Sequence, residues 1–435
     1  MSTSSPFVLR LTMAAAMLAS LCAPSVDAQR TEAEPVLRTE TLLQGRVHMT
    51  GTGYRIARDT PVRDYMGRYR LETDIGVVEA TGIDELAQRV DELPAARRLL
   101  ALERSDAFGS ALAASAKNTG QAVVRVVTQP VETLSALPMG IGRAISAAGR
   151  RVRAVALQVG DAARRDDAVE AEPEVVDQEA ATNDAEDAVI DFAKELAGVN
   201  KARRQIAKDL GIDPYTRNPL VADKLGHLAW ASVAGGLSLD IALSAVPSEL
   251  RDALGTASSI NGLAWDLPPA DIRYRLERTL RERGHSGFNA REFLRNPAFS
   301  PTDQLAFVEL IERLDLRDGE NEVLAAATAA KRPAHAQFML RQMRLLVASS
   351  TNDPMRSIHA TSGLVWALNQ RNEPVLPLAI DHLAWSGDLA SSIEASGRLA
   401  RGRGHVLVAG SASRLASSRL QALGWDVRTR APLAP

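Results

Sequence analysis

Between Asp161 and Asp191 the chain carries twelve acidic residues, only two arginines and almost no apolar periodicity. Like charges at this density repel, and such a segment cannot bury enough apolar surface to offset its chain entropy. This predicts a structureless linker over residues 161–190, so the folded parts of the chain are built on either side of it. The acids lack the fixed spacing and turn glycine of a calcium loop, which argues against a cation site there. Just upstream the charge reverses. Residues 110–160 contain one acid, Glu132, among small apolar residues and the arginines Arg143, Arg150, Arg151 and Arg153. Pro130 and Pro138 divide this stretch into short helical pieces with Val123, Val127, Leu134, Ile141 and Val152 on one side. Two readings follow: helices lying on an anionic membrane surface or a protein partner, or helices packed on their own core. The absence of Trp and Tyr from the stretch weighs toward the second.

The first 28 residues add a constraint on place. A lone basic residue, Arg10, precedes the apolar run LTMAAAMLASLCA, and small residues at Val26 and Ala28 close it. This layout predicts a secretory signal peptide cut after Ala28, and hence an exported chain, in a bacterium a periplasmic one, with a membrane-peripheral position as a variant. The apolar run is too short for a permanent transmembrane helix. Cys22, the only cysteine, follows Leu21 rather than a small residue, so no lipidation is predicted and the thiol leaves with the leader. The exported chain then has neither a disulfide nor a thiolate ligand, and it is long enough to build two or three domains without them.

A net charge of -2 argues against nucleic-acid binding, although arginine greatly outnumbers lysine. Aromatic residues are only 4% of the chain, so its cores must come from Ala, Leu, Val and Ile.

Residues 29–40 read as polar and loose. From Leu42 to Ala80 the pattern is β-like, with two short strands about a turn near Asp74–Gly76. Helix follows from Ile83 to Leu102, interrupted or restarted at Pro94. Beyond the linker, residues 191–350 read as helical. A helix stops at Gly211. Asp271–Arg283 is amphipathic through Ile272, Leu276 and Leu280. Asn289–Arg295 is a short helix ended at Asn296–Pro297. Ser300 and Pro301 start the next helix, and two more stretches are split at Pro333. After Val375 the pattern alternates between strand and helix: VLPLAI, a helix from Gly387, HVLVAG, a helix after Ser411, and WDVRT. This predicts parallel strands joined by crossovers. The expected fold class is α+β, predominantly α-helical. Its parts are a signal peptide (1–28), a small N-terminal β-containing region (29–109), the arginine-bearing segment (110–160), the linker (161–190), a helical central domain (191–350) and a small C-terminal α/β unit (351–435).

The chemistry on offer is sparse. Asp223 and His227 stand four apart on a predicted helix, but a metal would need a third ligand that the sequence does not name. No phosphate loop occurs, and no pattern calls for a cofactor or a metal. Asp381 and His382 end one predicted strand, and Ser411 follows another at Gly410, where loops of α/β units build sites. A Ser/His/Asp nucleophilic arrangement requires these strands to be neighbours. Two features count against it. AGSAS lacks the flanking glycines of a nucleophile elbow, and adjacent Asp381 and His382 on a regular strand point to opposite faces. The turn DPYTRNP at 213–219 offers Tyr215 and Arg217 as interface anchors, or serves as a helix–helix connector. The leading functional reading is an exported non-enzymatic protein of interaction or scaffolding at the envelope, with a protein partner or an anionic membrane met through residues 110–160. The alternative is a hydrolase or small-ligand-binding enzyme with its site in the C-terminal unit.

Overall fold

The computed structural model describes residues 31–106, 108–111, 198–234, 259–316, 318–361, 363–395 and 403–434. The predicted leader, Arg143, Arg150, Arg151 and Arg153, and the acidic linker lie outside the described residues. The chain is α+β and mostly helical, with an N-terminal β sheet and a C-terminal α/β sheet, in agreement with the patterning.

Two compact units divide it. The first is discontinuous: it joins the described residues through Leu86 to Leu345–Arg356 and to the chain from Trp366 onward. The second holds Ala87–Arg344 and Ser357–Val365.

The N-terminal sheet contains β1 (Val36–Arg38), β2 (Thr50–Gly51), β3 (Tyr54–Ile56), β4 (Asp59–Arg63), β5 (Met66–Thr73) and β6 (Gly76–Thr81), in the order β1-β4-β5-β3-β2 with β6 also on β5. Alternation along β5 explains its placement. Gly67, Tyr69 and Leu71 face inward while Arg68, Arg70 and Glu72 face out. The β4–β5 turn is the two-residue pair Asp64–Tyr65, with φ of 49° and 65°, the geometry that suits the twist of a hairpin.

The expectation that residues 29–40 are loose is corrected over residues 36–40. Val36–Arg38 pairs antiparallel with Asp59–Pro61, and Thr39–Leu43 is helical. Thr39 is fully buried, its hydroxyl donating to Ala57 O at 2.6 Å and lying 2.7 Å from the Thr60 hydroxyl. Long-range hydrogen bonds order this stretch, and they leave no periodicity in a polar sequence.

The C-terminal sheet runs β13-β11-β9-β8-β7, built from β7 (Met355–Thr361), β8 (Leu364–Asn369), β9 (Pro374–Leu378), β11 (Gly404–Val408) and β13 (Trp425–Arg428). Strands β9, β11 and β13 are parallel, and helices Gly387–Ala395 and Arg414–Ala422 lie on the crossovers between them. Strand β8 is antiparallel to β9. The β7–β8 pair is an addition that the sequence reading did not contain.

The second unit is helical. Ile272, Leu276 and Leu280 are buried on helix Pro269–Glu282, as their spacing predicts. Ser300 and Asp303 form a reciprocal cap at the start of Pro301–Leu314. Phe293, Phe299 and Phe307 cluster with ring centroids 5.1–5.5 Å apart, largely edge to face. Among the described residues, no helix is long and apolar enough to cross a membrane.

Candidate functional site

The chain continues side by side past the C-terminal ends of β9 and β11. Ala409 N donates to Leu378 O, Gly410 N to Ile380 O and Ser411 N to Asp381 O. Two short strands result, β10 (His382–Leu383) and β12 (Ser411–Ala412), paired in parallel with His382 opposite Ser411. Gly410 permits this approach, because a Cβ there would lie 2.0 Å from Asp381 O.

Register places the two candidate side chains together: His382 Nδ1 lies 2.8 Å from Ser411 Oγ. The hydroxyl is also 3.3 Å from Asp381 O. His382 is buried and Ser411 half-buried. Burial holds the imidazole below its ordinary pKa, with Glu32 acting in the opposite direction. The ring is therefore neutral at pH 7.

Asp381 does not join them. It stands in a bend just before β10, and its side chain meets strand β5 and the start of helix Ile83–Asp91. One carboxylate oxygen accepts from Gly67 N at 2.8 Å and from Tyr69 Oη at 3.3 Å; the other accepts from Ile83 N at 3.2 Å. Tyr69 is in turn pushed far above the ordinary phenol range by burial and by the Asp381 charge. The pair His382–Ser411 thus forms without Asp381.

Two further groups frame the pair, and sequence reasoning missed both. The Tyr65 carbonyl accepts the backbone N–H of Asp381 and of His382, each at 3.1 Å, and its hydroxyl lies 2.6 Å from Ser386 Oγ. These bonds hold a bulky residue in the left-handed region, where it is otherwise disfavoured. Glu32 reaches in from the N-terminal segment. Its Oε2 accepts from Trp385 N at 2.7 Å and from Ser413 Oγ at 2.5 Å, and its own N–H donates to Trp385 O at 2.8 Å. No local pattern marks Glu32, because its partners lie more than 350 residues away.

In the helical unit, His227 and Asp223 do not meet at a common ligand. His227 Nδ1 is 3.1 Å from Glu103 Oε1, and Lys224 Nζ is 2.5 Å from Oε2. Burial raises Glu103, but the hydrogen bonds from Lys224 and His227 outweigh it and hold the carboxyl below its ordinary range. Arg217 donates to Ala298 O at 2.6 Å and pairs with Asp303 at 2.8 Å, while Arg203 holds Pro214 O at 2.7 Å. Tyr215 is half-buried in the same turn. The segment 213–219 is thus held by neighbouring chain on several sides, the arrangement of a connector.

Asp213 anchors that turn, accepting from Tyr215 N at 2.8 Å and Thr302 Oγ1 at 2.7 Å. Burial pushes its carboxyl up to about 6 from 3.8. The folded state therefore holds the proton more tightly than the unfolded chain, and stability falls as pH rises from about 4 through 6. Asp213→Asn is expected to flatten this slope and to raise the urea midpoint above that of the wild type at about pH 7.5 but not at about pH 4.5.

A buried ion cluster lies farther along the same unit. Arg283 bonds Glu320, and His285 sits between Glu320 Oε2 at 3.3 Å and Asn321 Oδ1 at 2.8 Å. Burial raises Glu320, yet His285 and Arg283 together keep it below the usual carboxylate range.

Among the described residues, no group of three or more His, Cys, Asp or Glu side chains is placed to hold a metal ion. No family model, no curated protein and no solved structure matches the chain.

Proposed function

We propose that this chain is an exported protein that works by binding at the cell envelope rather than by catalysis. The observation that carries the non-catalytic part is the commitment of Asp381. Its carboxylate is taken up by Gly67, Tyr69 and Ile83 and is not available to His382. A serine nucleophile needs a base that is itself oriented by a third group, and Asp381 does not fill that role for His382. Export is supported by the leader ending at Ala28. Binding is supported by two exposed aromatics on neighbouring helices of the second unit, Phe288 at 67% and Tyr274 at 53% exposure. Three arginines of these helices are paired, Arg281 and Arg291 with Glu277 and Arg278 with Glu282.

A fluorophosphonate probe tests the catalytic side. Labelling of the native protein is expected to equal that of Ser411→Ala, and labelling confined to Ser411 would replace this proposal with the hydrolase reading. Mass spectrometry of protein released by osmotic shock tests export, with Gln29 as the expected first residue.

A further inference from the structure

Helices Pro269–Glu282 and Gly287–Arg295 of the second unit each bury one side and present the other to solvent. Ile272, Leu276 and Leu280 of the first, and Ala290, Phe293 and Leu294 of the second, face the core. The outer sides carry the exposed arginines Arg273, Arg275, Arg278, Arg281, Arg291 and Arg295 against four acids, Asp271, Glu277, Glu282 and Glu292. These sides are therefore positive in a chain whose net charge is -2.

Arg281 joins the two exposed aromatics into one surface. It stands two helical turns beyond Tyr274 and on the same face. Its guanidinium lies against Gly287, the neighbour of Phe288. A Cβ on Gly287 would come within 2.9 Å of Arg281 Nη2 and 3.2 Å of Arg291 Nη1. Both guanidiniums donate to the same atom, Glu277 Oε1, at 2.7 and 3.1 Å. Two cations on one carboxylate leave a positive charge at the surface, and ion pairs this exposed are weak enough to exchange for another anion. An apolar ring beside guanidiniums suits a surface that offers phosphate oxygens above hydrocarbon, which is what a bilayer presents. An acidic protein surface would match the arginines alone.

We infer that this face docks on an anionic bilayer, with Arg281 and Arg291 taking lipid phosphates while Phe288 and Tyr274 enter the headgroup layer. The inference rests on the binding reading above and gives that binding its partner.

The test sediments the full-length protein with vesicles of phosphatidylcholine carrying phosphatidylglycerol, and with vesicles of phosphatidylcholine alone. Binding is expected to the anionic vesicles only and to weaken as salt is raised. Arg281→Gln combined with Arg291→Gln is expected to weaken it about tenfold and Phe288→Ser about fivefold, with thermal midpoints unchanged because these side chains are exposed. Phe288→Trp keeps an interfacial ring and is expected to bind as the wild type does, with emission shifted to shorter wavelength on anionic vesicles. Absence of wild-type binding at low salt overturns the inference. Binding retained by every variant overturns it too, because the contact then lies elsewhere in the chain. Loss in the arginine variant without loss in Phe288→Ser overturns insertion of the ring and leaves attraction by charge, as an acidic protein partner would show. Failure of the underlying reading appears without vesicles, as labelling confined to Ser411 or as native protein that keeps Met1.

Discussion

Asp381→Ala is expected to destabilise the first unit by about 4 kcal/mol. The side chain is 4% exposed and serves three donors that have no water to turn to, Gly67 N, Ile83 N and Tyr69 Oη. Each buried donor left without an acceptor costs about 1–3 kcal/mol. Denaturant unfolding followed by amide exchange reads the effect where it arises, since the amides of Gly67 and Ile83 should lose protection first. Asp381→Asn has the same shape but turns an NH2 group either toward Ile83 N or toward Gly67 N and Tyr69 Oη, and about half the loss is expected. Ser411→Ala removes only the partly buried partner of His382 and is expected to cost about 1 kcal/mol. A catalytic acid would give the opposite pattern, with stability nearly unchanged in Asp381→Ala, so the order of these three variants decides between the roles.

The second large effect lies in the helical unit. Gly319→Ala is expected to cost about 3 kcal/mol or more. Gly319 has φ of +89°, and a Cβ on it would stand 1.4 Å from Ile358 O. The approach is needed because Ile358 N donates to Asp318 O at 3.0 Å, which brings strand and loop backbones together just before helix Glu320–Thr328. Two causes can be separated. If the left-handed φ were the whole penalty, Gly319→Asn would be much milder than Gly319→Ala, since asparagine tolerates that region. If the steric overlap dominates, as the 1.4 Å distance requires, asparagine is as damaging as alanine. Thermal unfolding of the three proteins side by side distinguishes the two.

The parts legible in the sequence are those whose signal is local. Ile272, Leu276 and Leu280 repeat at helical spacing and are buried together. Ser300 followed by Pro301 and Asp303 announces a helix start, and both cap bonds are formed. Alternating apolar runs and helices after Val375 gave β9, β11 and β13 with their crossovers, because a fully buried parallel strand leaves a short continuous apolar run. The convergence of His382 and Ser411 was within reach for the same reason, as both stand just past the ends of such strands. The β7–β8 pair was not read, since MRSIHAT mixes polar and apolar residues without clean alternation and LVWALN is a short apolar run that periodicity alone does not assign to strand or helix.

Sequence alone determined the elements with a strong local signal, such as helix Pro269–Glu282, helix Pro301–Leu314 and strands β9, β11 and β13, because periodicity and caps act within a few residues. Only the tertiary structure decided what distant side chains meet. The carboxylate of Asp381 found two amides and a phenol about 300 positions away, and Glu32, in a stretch that reads as loose, took up the amide of Trp385. A hydrogen bond between distant segments needs one donor and one acceptor at about 3 Å. Neither residue type nor spacing encodes which pair will meet, since that is settled by how the buried faces of the sheets and helices come together.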